Sequence, residues 1–187
     1  MTLAGLTFSD ELGGLVIVSG RGSGSLDDPF VLVEEITARG PAILVIRGLT
    51  SDFGNRIGSQ HITGFALTKI VRNGSGRAWR YFELELRETL DRRSPYEDGL
   101  SFGQGSNAGR PFRANAFSEV REIQEPLDAI SFSGGRVDPG AAVTLSVVIT
   151  ESTPKPVFYL AQKHEPVLSR RPETDGEDRA IIASVGE

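Results

Sequence analysis

Apolar and polar residues alternate with a period of two along most of this chain, the spacing of strands that bury one face and wet the other. The stretch Asp128–Thr150, DAISFSGGRVDPGAAVTLSVVIT, carries the clearest pattern: two apolar strands, a glycine-rich turn after the first and a second turn at Asp138-Pro139-Gly140. Within it Ala141, Val143, Leu145, Val147 and Ile149 share one face, and Ala142, Thr144, Ser146, Val148 and Thr150 the wetter one. The same reading places strands near Leu15–Val18, Phe30–Thr37, Ala42–Leu49, Ile62–Val71, Ala78–Arg87, Leu100–Phe102, Val120–Ile123, Ala129–Phe132, Ala141–Thr150 and Val157–Gln162. Thr89–Glu97 is the most helix-like connection, and Ser94-Pro95 ends it early. The pattern predicts an all-β, antiparallel β-sandwich of jelly-roll or immunoglobulin-like type with about nine or ten strands. A parallel sheet would need crossover helices that are not visible.

Ala42–Leu49, AILVIRGL, is apolar on both faces apart from Arg47, which predicts a central strand with its second face covered. In Ala78–Arg87 the residues Phe82, Leu84 and Leu86 share a face, leaving Trp79, Tyr81, Glu83, Glu85 and Arg87 on the other, where Trp79 is expected to be partly exposed. Glycine-rich loops fall at Gly20–Ser25, Asn73–Gly76 and Gly103–Gly109. Residues 1–167 read as one sandwich domain. Residues 168–187 read as a polar, charged tail that closes on the apolar run Ala180–Val185.

Composition narrows the function classes. Glycine supplies 22 of 187 residues, above the usual share of about 7% and in keeping with many strands joined by tight turns. A net charge of −5 argues against a nucleic-acid partner, which calls for clustered Lys and Arg to neutralise phosphates. The lack of cysteine removes disulfides, thiolate zinc sites and thiol nucleophiles. The start, MTLAGLTFSDELGGLVIVSG, has no basic region ahead of an apolar core, so no signal peptide is read there. No apolar run approaches the length of about 20 residues that spans a bilayer as a helix.

Each motif with chemical potential has a plainer structural reading. Ser19–Gly24, SGRGSG, follows an apolar strand as phosphate loops do, yet Leu26-Asp27-Asp28-Pro29 leads into another strand rather than a helix N-terminus. His61 and His164 lack the short spacing of a metal pair, and no Gly-x-Ser-x-Gly elbow supports a serine nucleophile. Asp27 and Asp28 before Pro29 read as turn residues ahead of a calcium site, and Asp91, Glu97 and Asp98 as a solvated cluster shared with Arg92 and Arg93. Neither cofactor nor metal is therefore expected. Trp79 and Tyr81, two apart on one strand, form a candidate aromatic platform for a sugar ring or another protein.

Four elements between Asn73 and Val167 carry a family resemblance: NGSGRAWRYFELEL, DGLSFGQ at Asp98–Gln104, EPLDAISFSGGRVDPG at Glu125–Gly140 and FYLAQKHEPV at Phe158–Val167. In these the chain resembles the β-sandwich of bacterial extracellular proteins that carry PEP-CTERM sorting signals. The resemblance implies an exported, non-catalytic surface or matrix protein. The C-terminus departs from that pattern, having neither the Pro-Glu-Pro triplet nor an apolar span followed by a basic cluster.

The expectation is thus a non-catalytic extracellular or surface protein that forms homo-oligomers or polymers or joins a matrix. Leu15, Val16, Ile17 and Val18 near one terminus, and Ala180, Ile181, Ile182 and Ala183 near the other, are the candidates for strand donation to a neighbour's sheet. The alternatives are a glycan-binding module that holds matrix polysaccharide on Trp79 and Tyr81, and a phage virion or tail decoration protein.

Overall fold

The computed structural model describes residues 1–103 and 112–165. In chain order the strands are β1 (Thr2–Leu3), β2 (Leu6–Ser9), β3 (Leu15–Arg21), β4 (Phe30–Ile36), β5 (Ala42–Arg47), β6 (Thr63–Asn73) and β7 (Phe82–Arg87). After them come β8 (Leu100–Ser101), β9 (Arg113–Ala114), β10 (Glu119–Ile123), β11 (Ala129–Ser133), β12 (Ala142–Glu151) and β13 (Val157–Lys163). They form a β-sandwich. The first sheet has seven strands in the order β1-β2-β5-β13-β7-β11-β10, and the second has β3-β4-β6-β12-β8, with β9 also paired to β12.

Alternation builds the core. Phe30, Leu32 and Ile36 on β4, Phe65, Leu67 and Val71 on β6, and Val143, Leu145, Val147 and Ile149 on β12 face inward from the second sheet. They meet Leu44 and Ile46 of β5, Phe82, Leu84 and Leu86 of β7, Ile130 and Phe132 of β11, and Phe158 and Leu160 of β13. Phe8 and Phe65 each contact the Phe30 ring edge-on, at centroid distances of 5.4 and 5.7 Å, which ties the two layers together. β5 lies inside the first sheet between β2 and β13, and both its inward Leu44 and its outward Val45 are buried.

Three features depart from the sequence pattern. The pairs are antiparallel except β4 with β6, which run parallel from Phe30 opposite Leu67 to Ile36 opposite Asn73. The crossover that a parallel pair requires is made by β5, a strand of the opposite layer, so no helix is needed. Thr89–Glu97 forms bends with a 3₁₀ turn at Tyr96–Asp98 and no α-helix, Pro95 standing just ahead of that turn. β1, β2 and β9 were not anticipated; two or four residues are too few to establish a period of two.

The two strands of Asp128–Thr150 lie in different sheets. Glycine is obligatory where the chain leaves β11: Gly134 adopts φ 71°, and a Cβ on Gly135 would stand 1.8 Å from the Ala116 carbonyl oxygen. Among the described residues no helix is long and apolar enough to cross a membrane.

Candidate functional site

Trp79 is 1% exposed, which corrects the expectation of a partly exposed aromatic platform. The chain is not yet in β7 at this point. Trp79 exchanges two backbone hydrogen bonds of 2.9 Å with Val137, and a bend at Arg80 then resets the alternation before β7 begins at Phe82. The indole consequently enters the core beside Phe82, stacks on the His164 ring at 4.9 Å and donates from Nε1 to Ser75 Oγ at 2.9 Å. Tyr81 stays half-buried, and its hydroxyl donates to Glu83. Burial, reinforced by Glu83, holds its phenol well above the ordinary range.

Leu15–Val18 is not a free terminal segment but the start of β3, hydrogen-bonded to β4 along an edge of the second sheet. Leu15 faces the core, whereas Val16 and Val18 are 52% and 61% exposed. The Ile17 amide, which faces away from β4, donates to Asp10 Oδ2 at 3.0 Å, so a carboxylate caps part of this edge. Ala180, Ile181, Ile182 and Ala183 lie outside the described residues, as does most of the Gly103–Gly109 loop.

The two histidines lie near opposite ends of β6. His61 precedes its start, and His164 packs on Trp79, whose partner Val137 accepts from Asn73 at its end. β6 has eleven residues, which at about 3.3 Å each sets the two imidazoles far beyond joint action on one substrate. His164 is buried with Nε2 at 3.0 Å from the Ala38 carbonyl oxygen, and burial lowers the affinity of His61 for a proton. Asp27 and Asp28 are exposed, and the turn closes through the Asp28 carbonyl, which accepts from Gly24 at 2.9 Å.

Polar side chains on the inward face went unread in the sequence. Lys69 occupies the inward parity of β6 between Leu67 and Val71, Glu34 that of β4 between Leu32 and Ile36, and Gln162 that of β13 after Leu160; all three are fully buried. Lys69 Nζ donates to Glu34 Oε1, and Gln162 Nε2 reaches across from the first sheet to Glu34 Oε2 at 2.9 Å. Burial pushes the Lys69 ammonium below the usual lysine range, partly offset by Glu34. The signal was available: a charge at an inward position of an otherwise apolar strand. The ion pair joins neighbouring strands of the second sheet, and the Gln162 amide extends it into a clasp between the sheets.

At the end where β12 stops, Glu151 is 2% exposed and accepts from the Thr153 amide at 2.7 Å. Burial, together with the charge of Glu88, lifts its carboxyl to about 7, and burial raises Asp98 as well. Lys155 pairs with Glu88. Of the acidic loop read from the sequence, Asp98 belongs to this cluster, while Asp91 and Glu97 are exposed. Among the described residues no group of three or more His, Cys, Asp or Glu side chains is arranged to hold a metal ion.

The outer faces of the sheets differ in chemistry. On the first, Lys163 bridges Glu83 and Glu85, Arg87 pairs with Glu85 at 2.8 Å and Arg47 with Glu11 at 2.6 Å. On the second, Val16, Val31, Val33, Ala66, Ile70 and Val148 are interleaved with Thr68, Thr144, Ser146 and Thr150, and the charges are Arg21 and the Glu35–Arg72 pair at 3.9 Å. A groove of about 330 Å³ crosses this face, floored by Ala66, Thr68, Ser146 and Val148 and walled by Leu26 and Pro29 on one side and Arg113 on the other. Period-two reading gave the outward residues of β6 and β12. It had no means of finding the walls, which come from the β3–β4 loop and from β9. No family model, curated protein or solved structure matches the chain.

Proposed function

We propose that the chain is a non-catalytic structural β-sandwich of the cell exterior or a cell surface that works by associating with copies of itself. The observation that carries this reading is the edge of the second sheet, where Val16 and Val18 stand 52% and 61% exposed on β3, with Arg21 at one end of the strand and the Glu35–Arg72 pair beside Val16 as the charges of this outer face. An edge strand offers unpaired backbone groups, and soluble proteins usually guard such edges with charge. Here the Asp10 carboxylate guards one amide and Glu35 stands across from Val16, yet Val16 and Val18 remain more than half exposed. The opposite outer face, latched by internal ion pairs, has its charges already satisfied. The resemblance of residues 73–167 to exported surface and matrix proteins supports the same setting.

Sedimentation velocity across a wide concentration range tests the proposal. The native chain is expected to associate as concentration rises. Val16→Lys/Val18→Lys, altering side chains already in water, is expected to remain monomeric with an unchanged unfolding midpoint. A native chain that stays monomeric throughout would sink the reading.

A further inference from the structure

The groove on the second sheet has one charged wall and an otherwise apolar and hydroxyl lining. Arg113 is exposed and has no salt-bridge partner among the described residues. Leu26, opposite, is 44% exposed, unusually bare for a leucine beside a concave surface. At about 330 Å³ the groove is of the size that receives a few anchoring side chains. The occupant that fits is an apolar segment ending in negative charge.

This chain contains such a segment. Ala180-Ile181-Ile182-Ala183-Ser184-Val185-Gly186-Glu187 places two isoleucines and a valine ahead of the Glu187 carboxylate. The other stretch outside the described residues, 104–111, reads QGSNAGRP; it has no large aliphatic side chain, and Arg110 repeats the sign of Arg113. The path from Glu165 to Ala180 is polar and about 15 residues long, with a reach of roughly 50 Å when extended. It spans a domain of this size. We propose that the groove between Leu26 and Arg113 is the receptor for the segment Ala180–Glu187 of this chain, Ile181 and Ile182 packing against Leu26 over the groove floor and the Glu187 carboxylate meeting Arg113. This rests on the self-association reading in one respect: the segment links molecules when the groove it enters belongs to a second copy.

The native absence of cysteine makes the test clean. In full-length protein, Ser146→Cys on the groove floor and Ser184→Cys in the segment are introduced together, and disulfide formation under mild oxidation is read by mass and by non-reducing electrophoresis. A bond between residues 146 and 184 is expected, within one chain or between two. Adding Arg113→Glu is expected to reduce its yield about fivefold, with recovery when Glu187→Arg is added. Ile181→Asp/Ile182→Asp should reduce it about tenfold or more. A control with Cys at exposed Ser118, beside the far sheet, should not crosslink to position 184.

Crosslinks between chains would support both the docking and the assembly. Crosslinks confined within single chains would support the docking and, with monomeric sedimentation, overturn the assembly. No 146–184 bond, or one indifferent to Arg113→Glu and to the isoleucine changes, would overturn the docking; the separate sedimentation result would still decide the assembly.

Discussion

Lys69→Met removes the ammonium from the clasp between the sheets at nearly constant volume. Glu34, fully buried, would then keep a carboxylate in the core with the Gln162 amide, 2.9 Å from its Oε2, as its remaining clasp partner. Breaking a buried pair from one side costs about 3–5 kcal/mol, because the surviving charge has lost its counter-ion and cannot return to water. Domain stability is only about 5–15 kcal/mol in total, so the variant should unfold at much lower urea. Glu34→Leu alone, which strands the ammonium instead, should be comparably damaging. The double variant Glu34→Leu/Lys69→Met removes both charges, and its remaining defect is an unpaired Gln162 amide costing about 1–3 kcal/mol. It should be more stable than either single variant. Urea unfolding of the four proteins closes a double-mutant cycle, with a coupling energy of about 3 kcal/mol or more expected. If Lys69→Met costs less than about 1 kcal/mol, or if the two single losses simply add, Lys69 is not the counter-ion that makes a buried Glu34 tolerable.

The Glu151 carboxyl, lifted from 4.5 to about 7 by burial, favours the fold while it is protonated. Its stabilisation is therefore complete below pH 4.5 and lost as pH rises through 7, an upper figure of about 3 kcal/mol. Asp98, shifted in the same direction, adds to the slope; Glu151→Gln should flatten it in urea unfolding measured at several pH values, and an unaltered slope would refute the assignment. Trp79→Ala empties the space between Phe82 and His164 and should cost about 3–5 kcal/mol. The single indole of the native chain should emit from an apolar setting and shift to the red only on unfolding, and a native emission typical of water would contradict its burial. Gly135→Ala should prevent the β11 exit from forming, its Cβ lying 1.8 Å from the Ala116 oxygen; native-like expression and melting would show that the loop can move aside.

Period-two alternation located ten of the strands because side-chain direction within a strand is a local property of the backbone. Val143, Leu145, Val147 and Ile149 face inward as their spacing predicts. The same rule misplaced Trp79, since one bend at Arg80 and one bridge to Val137, 58 residues later, reverse its direction. Lys69 shows the complementary failure: its parity with Leu67 and Val71 was legible, yet a lone lysine gives no notice of a buried partner on another strand.

What the amino-acid order determined by itself was the all-β class, the faces of the longer strands and the absence of thiol chemistry. Each follows from near neighbours or from composition. The three-dimensional fold alone decided that β4 and β6 run parallel, that Glu34, Lys69 and Gln162 meet between the layers, and that Leu26 and Arg113 face each other across a groove. Those outcomes depend on which distant segments share a boundary, and sequence distance carries no such information once the chain has crossed between layers.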